Sequence, residues 1–262
     1  MALTPFEVEL IEELKRRHDA RHLGDEMMLR YFLLQQRVEH LGMAIPSSMR
    51  RFLGVANWPR VVVRTISGRQ KVRSLILPGE EVADPKLRAI WDANNLSAHT
   101  KMFRTDKYVY GRAFLSVGSN ENNREMPLVR VESPREMEAM VNVRREEMTA
   151  AARFYGKDAH GTGPTNVTLY MPDYTVWVAK GADGRWQEVD RDAHGLGVVP
   201  VLMDLNNRRS GGFEGESELT DIIGLTDSVA RSLTNMQFAQ EAHGIPGIWA
   251  TGVTSGDFVD AN

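Results

Sequence analysis

The sequence has 262 residues, of which 42% are hydrophobic and 26% charged, the balance of a soluble globular chain with room for one large or two ordinary cores. It has 0 cysteines and no apolar run near the ~20 residues of a bilayer span, which excludes disulfides, thiol chemistry, Cys-ligated metals and transmembrane helices. A net charge of −3, with both signs interspersed, argues against a chain that grips nucleic acid by its phosphates on its own.

MALTPFEVEL has no basic stretch leading into an apolar core, so no signal peptide is expected. Thr4-Pro5-Phe6-Glu7 predicts a capped helix start, with Phe6, Leu10 and Leu14 on its buried face and Lys15–His22 as its solvated end. Gly24-Asp25 predicts a break and a second helix over Glu26–His40, with Met28, Phe32 and Gln35 on one side. Pro46 opens a short third helix, Ser47–Phe52. The β-branched run Arg60–Ile66 is expected to be a buried strand and Val72–Leu77 a weaker one. Asp84-Pro85 starts a helix bearing Leu87, Ile90 and Trp91 on its apolar face. Ser97 is expected to cap the next, which runs to about Tyr110 and stops at Gly111.

Beyond Gly111 short strand-like pieces recur about every ten residues: Ala113–Val117, Leu128–Val131, Glu138–Val143, Met148–Tyr155, Val167–Met171, Tyr174–Ala179, Arg185–Val189 and Val198–Leu205. Turn chemistry such as Ser133-Pro134 and Pro172-Asp173 separates them, which predicts an antiparallel meander. Gly156–Thr165 has the composition of a flexible loop. Asn206–Gly215 is polar and Gly-rich, and the longest helical pattern follows, Ser217–Ala242, with Ser217 as cap and Gly244 and Pro246 ending it. Ile222, Leu225, Val229, Leu233 and Met236 share one face of that helix. The fold class is therefore α+β, in three parts: a mainly helical 1–111, a β-rich 112–205, and a loop with a long helix over 206–262.

Four constellations have the residue types of a chemical site. The strand–loop–helix around Gly215-Glu216-Ser217-Glu218 has the outline of a phosphate cradle, but it places carboxylates where a Walker lysine belongs, and a glycine-rich turn is the better reading. Ser217 lacks the second glycine of a nucleophile elbow and is a cap. His18 and His22 stand four apart on a helix, as metal ligands do, yet they sit among Arg16, Arg17 and Arg21 with no third ligand in the pattern. Asp190, Asp192 and His194 crowd one loop and support an alternative reading as a metal-dependent hydrolase or nuclease; a turn before the next strand is favoured. Trp58, Trp91, Trp177, Trp186 and Trp249 are scattered rather than interleaved with basic residues, unlike a single-strand stacking platform, so a nucleic-acid-binding adaptor remains a further alternative only. No catalytic, cofactor-binding or metal-binding residue is expected.

Several strings resemble the portal proteins of tailed bacteriophages, particularly those of actinobacteriophages, related to SPP1-type portals. They are HLGMAIPSSMRRF, ANWPRVVV, IWDANNLS with DKYVYGRAFLSVG, VRVESPREM, VTLYMPDYTV and, most specifically, GLGVVPVLMDLNNR with GESELTDIIGLTDSVARSLTNMQFAQEAHGIPGIWATG. Where such proteins often carry Tyr-Tyr-x-Gly, Tyr31-Phe32-Leu33-Leu34 stands here, implying a longer second helix. The resemblance implies a non-enzymatic, cofactor-free structural protein: a wing of helices and antiparallel strands with a helix leading to the stem, and no clip, returning stem helix, tunnel loop or crown within these residues. It implies a ring homo-oligomer, a dodecamer, at one vertex of the virion capsid, assembled in the host cytoplasm and not at a membrane. Implied partners are the major capsid protein and scaffold, the terminase large subunit, head–tail connector proteins, and double-stranded DNA passing through during packaging and ejection. On that reading Ile222, Leu225, Val229, Arg231, Leu233 and Met236 are expected to contact the next subunit.

Overall fold

The computed structural model describes residues 3–36, 54–123, 125–157, 163–181, 183–243 and 251–252. The chain divides into two compact units, residues 1–36 with 57–223, and residues 37–56 with 224–262. The expected helix Ser47–Phe52, the terminating Gly244 and Pro246, Trp249 and the middle of the Gly156–Thr165 loop lie outside the described residues.

In the first unit the expected capping box forms. Thr4 Oγ1 accepts from the Glu7 amide and the Thr4 amide donates to the Glu7 carboxylate, with Pro5 in the first turn of helix α1 (Pro5–Leu33). No break occurs at Gly24-Asp25, and α1 is one helix of 29 residues. Gly24 faces open space, where a glycine costs a helix only about 1 kcal/mol. Asp25 caps nothing, because its carboxylate is taken by Arg112 at 2.7 and 3.1 Å. The buried face also differs by one residue from expectation. Phe6 is 61% exposed, and Glu7, Leu10, Ile11 and Leu14 are covered instead. Met28 and Phe32 do share one side and pack beside Val63, Tyr108 and Val109, whereas Gln35 lies past the helix and is exposed.

Arg60–Ile66 is not a strand. It lies in helix α2 (Trp58–Arg69), which begins on Trp58-Pro59, a proline placement that suits a first helical turn. Pro59, Val63 and Ser67 are buried at four-residue spacing while Val61 is 53% exposed, so packing of one helical stripe overrides the β-propensity of the valines. Val72–Leu77 is likewise in no strand, and Val72 and Ile76 stay exposed. Helix α3 (Pro85–Ala93) starts as expected, with Asp84 accepting from the Leu87 amide at 2.8 Å. Helix α4 (Leu96–Tyr110) follows Asn95 in the left-handed region rather than a Ser97 cap; the Ser97 hydroxyl accepts from the Trp91 indole instead. It ends at Gly111, φ +78°, the expected stop.

Among the described residues eight strands form two antiparallel sheets. β1 (Arg112–Gly118), β2 (Leu128–Glu132) and β8 (Val201–Leu205) make a three-stranded sheet in the order β2-β1-β8. β3 (Met137–Asn142), β4 (Glu147–Tyr155), β5 (Asn166–Tyr170), β6 (Thr175–Lys180) and β7 (Trp186–Asp192) make a five-stranded meander in chain order. The predicted meander is present over β3–β7, while β1 and β2 form a hairpin in the other sheet and the last strand starts three residues late, with Val198 64% exposed, and returns to pair with β1.

Period-two alternation explains the sequence of β4. Ala150, Ala152 and Phe154 face α1 through Leu10, Ile11 and Leu14, joined by Val167, Leu169, Val176 and Val178. Ala151 points the other way, into Phe114, Met137, Tyr170 and Val201. A strand covered on both faces at close range takes alanine.

In the second unit the described part of helix α5 (Thr220–His243) beyond Ile223 has Thr226, Ala230 and Thr234 buried. Thr234 Oγ1 donates to Ala230 O at 2.7 Å and accepts from the Gly54 amide at 3.0 Å. Among the described residues no helix is long and apolar enough to cross a membrane.

Candidate functional site

The sequence points to the loop before α5, and the structure shows it as a crossing of backbones. Gly111, at the end of α4, lies directly against Gly215. A Cβ on Gly215 would sit 1.9 Å from Gly111 O, and one on Gly111 would sit 2.7 Å from Gly215 O. Only glycine allows that approach. Asn206 ties the crossing together. Its amide donates to Gly111 O at 2.8 Å, its carbonyl accepts from the Glu216 amide, and its side-chain amide reaches Glu216 O and the Glu218 carboxylate. The carboxylate of Glu218 also accepts from Asn207, so it is held by protein amides where a phosphate cradle would need amides free for an anion.

Ser217 closes the end of α4 and the turn that precedes α5, rather than capping α5 directly. Its hydroxyl donates to Val109 O at 2.6 Å, closing a carbonyl left open by the end of α4, and accepts from the Leu219 amide at 3.1 Å. The Glu218 amide closes Tyr108 O in the same way at 3.0 Å. Regular helix then begins at Thr220, three residues later than the sequence suggests. Lys107 to Asp204, at 3.0 Å, fastens α4 to β8 beside the crossing.

Of the other nominated residues, His18 and His22 stay adjacent, whereas Asp190, Asp192 and His194 do not converge. His18 is turned inward on α1: Nε2 lies 2.7 Å from Arg135 O and the ring 5.1 Å from that of Phe154. The His22 ring is its neighbour at 6.3 Å. Asp190 accepts from the Arg191 amide, Asp192 accepts from the Ser119 hydroxyl at 2.6 Å, and His194 lies 3.4 Å from the Thr175 hydroxyl. Each thus has its own partner and the three do not converge. Among the described residues no group of three or more His, Asp or Glu side chains is placed to hold a metal ion. Leu225 and Met236 of the α5 stripe are 55% and 51% exposed, Arg231 is exposed, and Ile222, Val229 and Leu233 are half-buried.

Buried charge is concentrated where α1 meets the sheets. Arg112 and Asp25, both nearly covered, pair at 2.7 Å, and Arg112 also reaches Pro134 O. Burial alone would raise the Glu7 carboxyl, but hydrogen bonds from Arg191 and Thr4 outweigh it and hold the group down to about 2. Sequence reasoning gave Glu7 its capping role but not Arg191, 184 residues on, and passed over the ties of Asn206 and Arg112, whose partners lie 10 and 87 residues away.

It also passed over a cleft of about 640 Å³ between α2 and α4, lined by Phe32, Arg64, Ser67, Lys101, Met102 and Asp106. The cleft continues past Lys71, Trp91 and Arg104. Burial pushes the Asp106 carboxyl up to about 7. One signal was available: Arg60, Arg64, Arg69, Lys71 and Arg73 follow one another with no acid between them.

Comparison with known proteins follows the same outline. A family model described as phage portal protein, SPP1 Gp6-like, matches residues 24–261. The portal protein of Mycobacterium phage L5 is 34% identical over 224 residues, which cover 82% of this chain and 46% of that protein. The portal protein of Mycobacterium phage D29 matches at the same identity and coverage. The chain spans about half the length of the curated relatives it matches. The family match takes in both sheets, the glycine crossing and α5, and on it the chain belongs to the phage portal protein family.

Proposed function

We propose that this chain is the wing and stem-approach part of a phage portal, a structural protein that forms a ring at one capsid vertex. The observation that carries the reading is the family match over residues 24–261, which includes all of the α4–β1–β8–α5 crossing. In this reading residues 1–111 form the helical wing, 112–205 the β-rich wing, and 206–262 the joint and the helix towards the stem. The ring is a dodecamer built from heterologous contacts, each copy offering two different surfaces. Double-stranded DNA passes through it during packaging and ejection. Terminase, capsid and scaffold proteins and head–tail connectors dock on it, first in the host cytoplasm and then in the virion.

A rigid joint suits that role. The glycine crossing leaves no room for a side chain, and Ser217 and Glu218 lock the end of α4 to the start of α5. On α5, Leu225 and Met236 stand exposed beside the covered Thr226–Ala230–Thr234 line. That supports Ile222, Leu225, Val229, Arg231, Leu233 and Met236 as a face for the neighbouring copy. Electron microscopy of the purified protein tests the proposal: closed rings of uniform size are expected, and a population of monomers alone at high protein concentration would refute it.

A further inference from the structure

Two surfaces of the first unit carry charge that the described residues leave unanswered. The first is the α2–α4 cleft. Arg64 and Lys71 stand on one side and Lys101 and Arg104 on the other, and none of the four is paired with a carboxylate among the described residues. Arg104 Nε is buried without a hydrogen-bond partner. The cleft's own acid is Asp106, one carboxyl among four cations. Between the cations the wall is mixed: Phe32, Met102 and Trp91 stand among Ser67, Gln70, Thr100 and Thr105.

The second surface is the start of α1. Its inner side is spent on Glu7, Leu10, Ile11 and Leu14, while Phe6 is 61% exposed and Glu9 and Glu12 are exposed at three-residue spacing beside it. Glu13 is already engaged by Arg16 and Arg17, but Glu9 and Glu12 have no cation among the described residues. An acidic helical edge with one aromatic anchor matches a basic cleft with a partly apolar wall in charge and in chemistry.

The two surfaces cannot meet within one chain. Phe6 and Phe32 are at opposite ends of one helix, and 26 residues at about 1.5 Å each separate them by about 39 Å. A contact between them must join two copies, and because the surfaces differ it runs head to tail, the kind of contact that closes a ring. We infer that the first turns of α1 in one copy dock in the α2–α4 cleft of the next, Phe6 against Phe32 and Met102 and Glu9 and Glu12 against Arg64, Lys71, Lys101 and Arg104. A nucleic acid is the weaker occupant, since the whole chain carries −3 and Phe32 and Met102 offer an aromatic anchor a matching apolar contact. The inference rests on the ring reading above and adds to it the surfaces that meet.

Charge reversal tests it. Sedimentation velocity is run on the unaltered chain, on Glu9→Lys with Glu12→Lys, on Arg64→Glu with Lys101→Glu, and on all four together, with circular dichroism as the check on folding. Each pair of reversals is expected to weaken self-association at least tenfold, and the fourfold variant to restore it, because the two surfaces have exchanged sign. Rings that form equally well in both double variants would overturn this docking and leave the ring reading standing. An unaltered chain that stays monomeric at every concentration would overturn both. A cleft variant that loses salt-dependent binding to a short DNA duplex, with self-association unchanged, would also overturn the docking and assign the cleft to nucleic acid.

Discussion

The five-stranded sheet and helix α5 carry the two clearest apolar patterns in the chain, and they use them in opposite ways. In the sheet every apolar position of β4 and β5 has a cover within the first unit, α1 on one face and Phe114, Met137 and Val201 on the other. On α5 the covered line is small and partly polar, Thr226, Ala230 and Thr234, while Leu225 and Met236 remain outside. Burial of a Leu or Met side chain contributes about 1.5–3 kcal/mol, so leaving these two in water forgoes a large share of what the helix could gain. The sheet is complete by itself. On α5 two large apolar side chains of the stripe stay more than half exposed among the described residues.

The contrast can be broken most severely where α1 is pinned to the sheets. Arg112→Met removes the partner of a covered Asp25 and leaves that carboxylate without compensation. A loss of about 3–5 kcal/mol is expected, read as a lower urea midpoint, whereas Arg112→Met with Asp25→Leu should recover most of it. Next in size is Ala151→Leu, which forces a larger side chain into a strand with neighbours on that face already in contact. Overpacking there should cost about 1–3 kcal/mol, and an equal cost for Ala→Leu at an exposed α5 site would erase the distinction.

Asp106 sharpens the comparison through pH. Its folded-state value of about 7 lies above the ordinary 3.8, so the folded protein holds this proton more tightly than the unfolded chain does. Stability contributed by the protonated acid is present below about pH 4 and is lost as pH rises towards 7. Asp106→Asn should therefore match the unaltered protein near pH 4 and exceed it by about 1–2 kcal/mol at pH 8, after allowance for part exposure, in urea titrations at the two pH values. Glu7 runs the other way. Held down to about 2, it stabilises above its unfolded value of 4.5, and the gain disappears as pH falls through that interval.

Elements whose signals are local were legible in the sequence. Thr4-Pro5-x-Glu7 and Asp84-Pro85 place their own hydrogen bonds within a few residues, Gly111 needs only its own left-handed backbone, and the structure keeps all three. What was not legible depended on distant partners. The run Arg60–Ile66 is strand-like by composition, yet burial of Val63 beside Tyr108 and Val109 decides for a helix. Gly24-Asp25 resembles a helix junction until Arg112, 87 residues on, claims the aspartate. The joint was located correctly as a loop before a long helix, but its reason, two glycines meeting back to back, needed both halves in one frame. The stripe on α5 follows from apolar residues spaced three and four apart, whereas the line that packs within the unit carries small residues, with Thr234 bonded to the Gly54 backbone.

The smallest expected effect on stability carries the most weight for function. Leu225 and Met236 are more than half exposed, so Leu225→Ser with Met236→Ser removes little burial, and a change within about ±0.5 kcal/mol per site is expected in thermal or urea unfolding of the monomer. If the pair faces a neighbouring copy, the same double variant should abolish ring formation under conditions where the unaltered protein assembles. Stability and assembly are then separated in one protein: the sheet variants lose the first, the α5 variant only the second. A double variant that keeps both would show that Leu225 and Met236 are ordinary surface residues, and the two apolar patterns would no longer differ in purpose.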